Sequence, residues 1–460
     1  MQRIFTIAGL TWKAAFRFRL FIVVAVLLLA AVIGLPLVLK DDGTAQGFTQ
    51  ILLTYTLGVI TILLGFSTLW LACGTLARDI EECQMQVVAT KPIARWQIWL
   101  GKWLGIMSLN AALLFISGAS VYGLMQWRAT RLPEAQQRIL RNEIFVARGS
   151  AKEPSYDAFV DETTENVLRD RAAKNPDVKA NLEEVRQQIR EQVKAQMQVV
   201  PPGYGRTWQI NLGLEKAFLH DQPLFLRVKF NAAEGSPSGT FYAMWQVGTS
   251  EKNGWQSELM SLAPDTFHEI EIPPNLFDDK GTLTIGFRNI NGVTLLFPLD
   301  EGMEVLYRAG GFGMNFVRGL GIIFCWLSLL AAVGLAAASL LSFPVATFVT
   351  LGLLALVLSS GTISSVVTEG RYFAYNAEQG LAPPTILDRT IVQSFRGMLV
   401  LINMVKDFSP VDALSRGRSI PWSELGRAFA QIVLLMGGIV SGIGIFIFNR
   451  RELATAQGTQ

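Results

Sequence analysis

Cysteine and histidine are nearly missing, with three of the first and two of the second in 460 residues. Cys73, Cys83 and Cys325 fall in or beside apolar runs and none lies in the long polar middle, so neither a disulfide framework nor a Cys-based zinc site is available there. His220 and His268 are too few for a His-rich metal centre. Charge is scarce too, at 17% of residues, and 40 Lys+Arg against 37 Asp+Glu leave a net +3. That balance lacks the concentrated basic face that phosphate backbones require, which argues against nucleic acid as a partner. No Gly-x-x-x-x-Gly-Lys-Ser/Thr loop occurs, so any ATP hydrolysis belongs to another chain. What is abundant is apolar: 50% of residues come from the AVILMFWYC set and the mean hydropathy is +0.34, the composition of a membrane protein.

A hydrocarbon core of about 30 Å requires about 20 mostly apolar residues per helix. Such runs occur at Leu20 to Leu39, Gln50 to Cys73, Trp103 to Trp127 and Ala428 to Asn449. Gly319 to Thr368 carries no charge and is too long for one helix, so Ser342-Phe343-Pro344 is expected to break it into two spans, making six. Arg3, Lys13, Arg17 and Arg19 precede the first run and Lys40-Asp41-Asp42 follows it without a small-residue cleavage site, as in an uncleaved anchor. Basic residues at the N-terminus, at Arg78 to Lys102 and at Arg450-Arg451 place these segments in the cytoplasm, at a cell (inner) membrane. Ile4, Phe5, Trp12 and Phe16, interleaved with Arg3, Lys13 and Arg17, predict an amphipathic elbow helix at the inner interface. In the segment 367–427, Thr390 to Val405 reads as an interfacial or re-entrant helix.

By parity, residues 128–310 form an extracytoplasmic domain. Its first part, 128–203, is expected to be helical: Asn175-Pro176-Asp177 reads as an N-terminal cap, and Val178, Leu182, Val185, Ile189, Val193 and Met197 follow at helical spacing. Its second part, 204–310, changes to period two, as in Leu224, Leu226, Val228 and Phe230, or Leu283, Ile285 and Phe287. Some eight short strands predict an antiparallel β-sandwich, jelly-roll-like, which resembles carbohydrate-binding modules in outline. Trp208, Tyr242, Trp245 and Trp255 are the candidate platform for a glycan or protein partner, against the alternative that they fill the core or rim. His268 shares a strand face with Ile270 and Ile272, the setting of a half-buried histidine rather than a metal ligand. The fold class is thus an α-helical polytopic membrane protein of six spans, residues 1–127 and 311–460, with an inserted α+β extracytoplasmic domain.

The loop between the second and third spans reads Arg78-Asp79-Ile80-Glu81-Glu82, an apolar stretch through Met85, Val87 and Val88, then Lys91-Pro92-Ile93-Ala94-Arg95, and Gly101-Lys102 opening the next span. This order resembles the ABC-2 type permeases, the membrane subunits of ATP-binding cassette exporters. The resemblance extends to the six-span layout, to Phe408-Ser409-Pro410-Val411-Asp412 and to the Asn449-Arg450-Arg451-Glu452-Leu453 ending, but not to the outer domain. Among subfamilies it is similar to the multicopper-enzyme and nitrous oxide reductase maturation permeases.

The resemblance implies a non-catalytic chain that binds no cofactor itself. A cytoplasmic ATP-binding subunit carrying ATP and Mg would dock on Arg78, Asp79, Glu81, Glu82, Lys91, Pro92, Arg95, Gly101 and Lys102. A second permease, identical or not, would pair with this one, and Gly438-Ile439-Val440-Ser441-Gly442 has the small-residue spacing that suits close helix packing at such a seam. A short helix ended by Pro92 has the physical character for lying in a groove on a cytoplasmic partner; the bland alternative is an ordinary interfacial connection. Asn110 and Gln431 are the rare polar groups inside the spans, which argues against an ion relay and for an amphiphilic or polymeric cargo. The alternative function is ATP-driven mechanotransmission, or a membrane-anchored binding protein, whose outer sandwich binds a glycan or protein without moving cargo.

Overall fold

The computed structural model describes residues 2–17, 19–38, 45–82, 93–131, 133–134, 137, 140, 145–174, 182–213, 219–236, 238–248, 254–278, 280–299, 301–369 and 386–451. The chain divides into two compact units, Met1–Val146 with Gly311–Gln460, and Ala147–Gly310. In chain order, the helices α1 (Gln2–Arg17), α2 (Leu20–Val38), α3 (Ala45–Glu81) and α4 (Arg95–Ala129) precede the strand β1 (Val146–Ala151) and the helices α5 (Asp157–Lys174) and α6 (Leu182–Gln198). Twelve further strands follow, and then α7 (Phe312–Leu340), α8 (Phe343–Leu358), α9 (Ser360–Glu369), α10 (Ile386–Lys406), α11 (Pro410–Ser415) and α12 (Trp422–Arg450).

The first unit is built mainly of helices. Among the described residues four helices are long and apolar enough to cross a membrane: Gln50–Glu81 within α3, α4, α7 and α12. A fifth is reached if α1 and α2, bent by 68° against each other, count as one broken span. The expected hairpin break is present, with Ser342 at the N-cap of α8 and Pro344 in its first turn. The α8 helix is 16 residues long. At 1.5 Å per residue it covers about 24 Å, less than the ~30 Å hydrocarbon core. The interfacial segment expected around Thr390 to Val405 lies within α10, which ends at Lys406. Small residues let α3 and α7 approach closely: a Cβ added at Gly334 would lie 2.6 Å from Ala72 Cβ. Around that crossing Leu76, Trp99, Ala331, Leu335 and Phe448 are fully buried.

The second unit is rich in strands. One four-stranded sheet has the order β1, β13 (Met303–Gly311), β4 (Leu224–Val228), β10 (His268–Ile272); the other runs β3 (Gly205–Asn211), β11 (Thr282–Arg288), β7 (Trp245–Val247), β8 (Trp255–Gln256). A three-stranded sheet of β2 (Val199–Val200), β12 (Leu295–Leu296) and β5 (Asn231–Ala232) and the pair β6 (Phe241–Ala243) with β9 (Met260–Leu262) complete it. The period-two pattern fixes which side chains turn inward. Trp208 and Ile210 from β3, Leu224 and Leu226 from β4, Ile285 from β11 and Val305 from β13 meet in one hydrophobic core.

The part expected to be helical, 128–203, proves mixed. It holds β1, and it holds two helices rather than one, since α5 packs on α6 through Val160, Leu168, Ile189 and Val193, with ion pairs Arg186–Glu165 and Arg190–Asp161 alongside. The expected cap at Asn175-Pro176-Asp177 lies outside the described residues.

Candidate docking surface

At one end of the helical unit the ends of five helices are tied together by the residues that the sequence singled out. Lys102, in the second turn of α4, is buried at 6% exposure. Its Nζ donates to Asp79 Oδ2 at 2.5 Å and to the Thr75 carbonyl at 2.6 Å, both near the C-terminus of α3. A cation there also complements the partial negative charge that aligned peptide dipoles place at a helix C-terminus.

Arg95, at the start of α4, donates through Nη1 to the carbonyls of Phe448 at 2.9 Å, Asn449 at 2.8 Å and Arg451 at 2.8 Å. These acceptors lie in and just beyond the last turn of α12, whose final carbonyls have no partner within the helix. Arg451 in turn donates to the carbonyls of Ala338 and Ser339 at 3.2 and 3.0 Å, at the C-terminus of α7. Glu81 does the converse at a helix N-terminus, where its Oε1 accepts from the Phe343 amide of α8 at 2.8 Å. Arg78 lies 4.2 Å over the Phe343 ring.

Gly101 and Gly105 make the α1–α4 crossing. A Cβ at Gly101 would fall 2.7 Å from Ile7 Cβ, and one at Gly105 would fall 2.7 Å from Thr11 Cβ and 2.9 Å from the Ala8 carbonyl oxygen. Only glycine allows backbones this close. Trp12 Nε1 donates to Ser108 Oγ at 2.6 Å across the same seam.

The structure therefore separates the predicted docking residues into two groups. Gly101, Lys102 and Arg95 are engaged within the bundle, each at a helix end or a helix crossing. Arg78 and Asp79 are half-buried, Glu81 and Glu82 are exposed, and Lys91 and Pro92 lie outside the described residues. The role of Arg451 as a helix-end clamp was not foreseen, although its place one residue past α12, within a basic pair, is the usual signal for a C-terminal cap.

In the second unit the predicted aromatic platform is corrected. Trp208 and Trp245 are buried at 2% and 0% exposure. Their rings lie 6.1 Å apart, and Trp208 meets the Phe297 ring edge-on at 5.2 Å. Trp255 is half-buried against the same core, and Tyr242 alone of the four is exposed. The alternating pattern that makes these strands also turns both tryptophans inward, away from any ligand at the surface. His268 fills a local role: its Nε2 lies 2.8 Å from the Ala263 carbonyl oxygen and its ring stacks on Phe230.

Charge in this unit is paired across the first sheet. Arg148 meets Glu269 at 2.7 Å and Arg227 meets Glu304 at 3.0 Å, with Ser150 Oγ on Glu304 at 2.7 Å. Near β3, burial and then a hydrogen bond to Glu153 push the Tyr156 hydroxyl up to about 12, and burial pushes the Arg206 guanidinium down. Among the described residues no group of three or more His, Cys, Asp or Glu side chains is placed to hold a metal ion.

Comparisons of the chain with protein-family models, with curated proteins and with solved structures each returned no match.

Proposed function

We propose that this chain is the membrane-spanning subunit of an ATP-driven transporter of the ABC-2 permease kind, coupled to ATP hydrolysis by a separate cytoplasmic chain. In this reading α2, α3, α4, α7, α8 and α12 are the six spans. Residues 128–310 lie outside the cell membrane, with the two four-stranded sheets facing one another as a sandwich.

The observation that supports it most is the tying of helix ends around the Arg78 to Lys102 segment. A docking loop transmits force only if both its flanks are fixed to the spans that must move. The flank before the loop is held by Asp79 on Lys102 and by Glu81 on the α8 N-terminus, and the flank after it by Arg95 on the end of α12. Displacement of the loop would then shift α3, α4, α8 and α12 together instead of being absorbed by slack. Glu82, with Lys91 and Pro92, carries the contact, while Glu81, Arg95, Gly101 and Lys102 carry the stiffness.

The test is co-purification from the native membrane in mild detergent, with mass spectrometry of what is retained. A stoichiometric nucleotide-binding protein is expected with the unaltered chain and is expected to be lost in a Glu82→Arg, Lys91→Glu variant that stays monodisperse and melts normally. Absence of any such protein in several detergents, or unaltered retention by the variant, would overturn the reading.

A further inference from the structure

Beside the tied helix ends, α1, α3 and α4 enclose a cavity of about 600 Å³. Its lining has two characters. Lys13, Arg17, Arg78 and Lys102 supply four cationic groups against Asp79 and Glu82, and Lys102 is engaged with Asp79. The rest is largely apolar, including Ile7, Leu10, Trp70 and Leu71.

The α1 helix that forms one wall exposes Phe5, Leu10 and Phe16 at 66%, 54% and 41%. Phe5 and Phe16 share one stripe of α1, an apolar face suited to the boundary between headgroups and acyl chains, while Leu10, about 120–140° around the helix from them, belongs to the cavity wall. A smaller void of about 20 Å³ also touches Ala15 and Leu71 and reaches Asn110. Asn110 is 2% exposed, and its Nδ2 has no hydrogen-bond partner among the described residues, although its Oδ1 accepts from Thr68 at 3.1 Å. Ala15 and Leu71 line both spaces, and the unpaired Asn110 amide belongs to the lining of the smaller one.

We propose that this cavity holds one anionic phospholipid of the adjoining leaflet, its phosphate among Lys13, Arg17 and Arg78 and an acyl chain along Leu10, Trp70 and Leu71. Charge decides the headgroup, because the excess of cations in the lining favours an anion over a zwitterion. The apolar walls decide against a free phosphate ion, which would leave Leu10, Trp70 and Leu71 uncovered. The site stands whether or not an ATP-binding subunit docks nearby. Its occupant would bridge α1 to α3, so that lipid composition bears on how firmly the elbow helix is held.

The test is native mass spectrometry of the full chain in a neutral detergent, titrated separately with phosphatidylglycerol, phosphatidylcholine and sn-glycerol 3-phosphate. One saturable phosphatidylglycerol is expected, with the other two at least about tenfold weaker. Each basic residue near a lipid surface contributes about fivefold in affinity, so Lys13→Gln with Arg17→Gln is expected to weaken phosphatidylglycerol by about 25-fold. Both residues are exposed, and an unchanged detergent-unfolding midpoint of the double variant checks that α1 stays packed. Arg3→Gln, on the same helix but away from the cavity, serves as the control for charge alone. Equal retention of phosphatidylcholine, binding of glycerol phosphate as tight as that of the lipid, an unaffected double variant, or an equal loss with Arg3→Gln would each overturn the proposal.

Discussion

Removing one partner of the Lys102–Asp79 pair should cost far more from one side than from the other. Lys102 has 8% of its side chain exposed and Asp79 has 34%. Asp79→Ala strands an ammonium in the bundle with the Thr75 carbonyl as its remaining acceptor. Breaking a fully buried ion pair costs about 3–5 kcal/mol, and the partial hydration of Asp79 together with the surviving carbonyl contact lowers this to about 2–3 kcal/mol. Lys102→Met instead leaves a carboxylate that water already reaches, fills the space with a side chain of similar length, and should cost about 1 kcal/mol. The double variant should be close to Lys102→Met alone, because no stranded charge is left. The assay is unfolding of the full chain in mixed micelles by titration with a denaturing detergent, followed by tryptophan fluorescence. If Lys102→Met costs as much as Asp79→Ala, or if the two costs simply add in the double variant, burial is not what sets the asymmetry and the argument fails.

Three other substitutions probe separate parts of the fold. Gly101→Leu should push α1 off α4, since even a Cβ there meets Ile7 at 2.7 Å, and limited proteolysis should then cut near Lys13 and Arg17 at rates the unaltered chain does not show. Trp245→Ala should destabilise the second unit by about 3–5 kcal/mol, whereas Tyr242→Ala, at an exposed site, should be nearly silent in the same urea melt; equal effects would contradict the placement of the core. Tyr156 is held neutral in the folded state and titrates at its ordinary value of 10.0 when unfolded. Its contribution is therefore complete below pH 10 and is lost as pH rises through about 12. Tyr156→Phe should flatten that alkaline limb of the stability profile, and an unchanged limb would assign it to another group.

Much of this was legible in the chain, for reasons that differ from place to place. Ser342-Phe343-Pro344 announced the α7–α8 break because a proline early in a helix and an extended residue before it are local constraints. Alternation announced strands such as β4 and β11, though not the two-residue β5 or the breaks that divide β6 from β7 and β8 from β9, and that same alternation contained the answer to the tryptophans: Trp208 shares parity with Ile210 and Leu212, and Trp245 with Val247. Reading residue type ahead of parity is what made a platform of them. The strand β1 was hidden because Val146-Ala147-Arg148-Gly149 has no sustained alternation and lies beside charged helical sequence. A Cβ at Gly149 would collide with the Tyr307 ring, so the strand depends on a distant contact rather than on its own pattern. Along Arg78 to Lys102, the order of residues was visible, but which of them tie helix ends together was not. Nothing in Gly101-Lys102 says whether a lysine faces a partner or the end of a neighbouring helix, since that depends on where α3 stops.

The last helix carries a π-helical stretch, Phe429–Gly437, inside Trp422–Arg450. Ile432 and Phe448 are both fully buried, yet sixteen residues of unbroken α-helix would set them about 160° apart around the axis. The wider turns re-phase the two halves, so one straight helical wheel cannot describe both. A cysteine-accessibility scan read at a single period would assign half of this helix to the wrong face. Any search for a seam around Gly438 to Gly442 should take its phase from the segment after Gly437 alone.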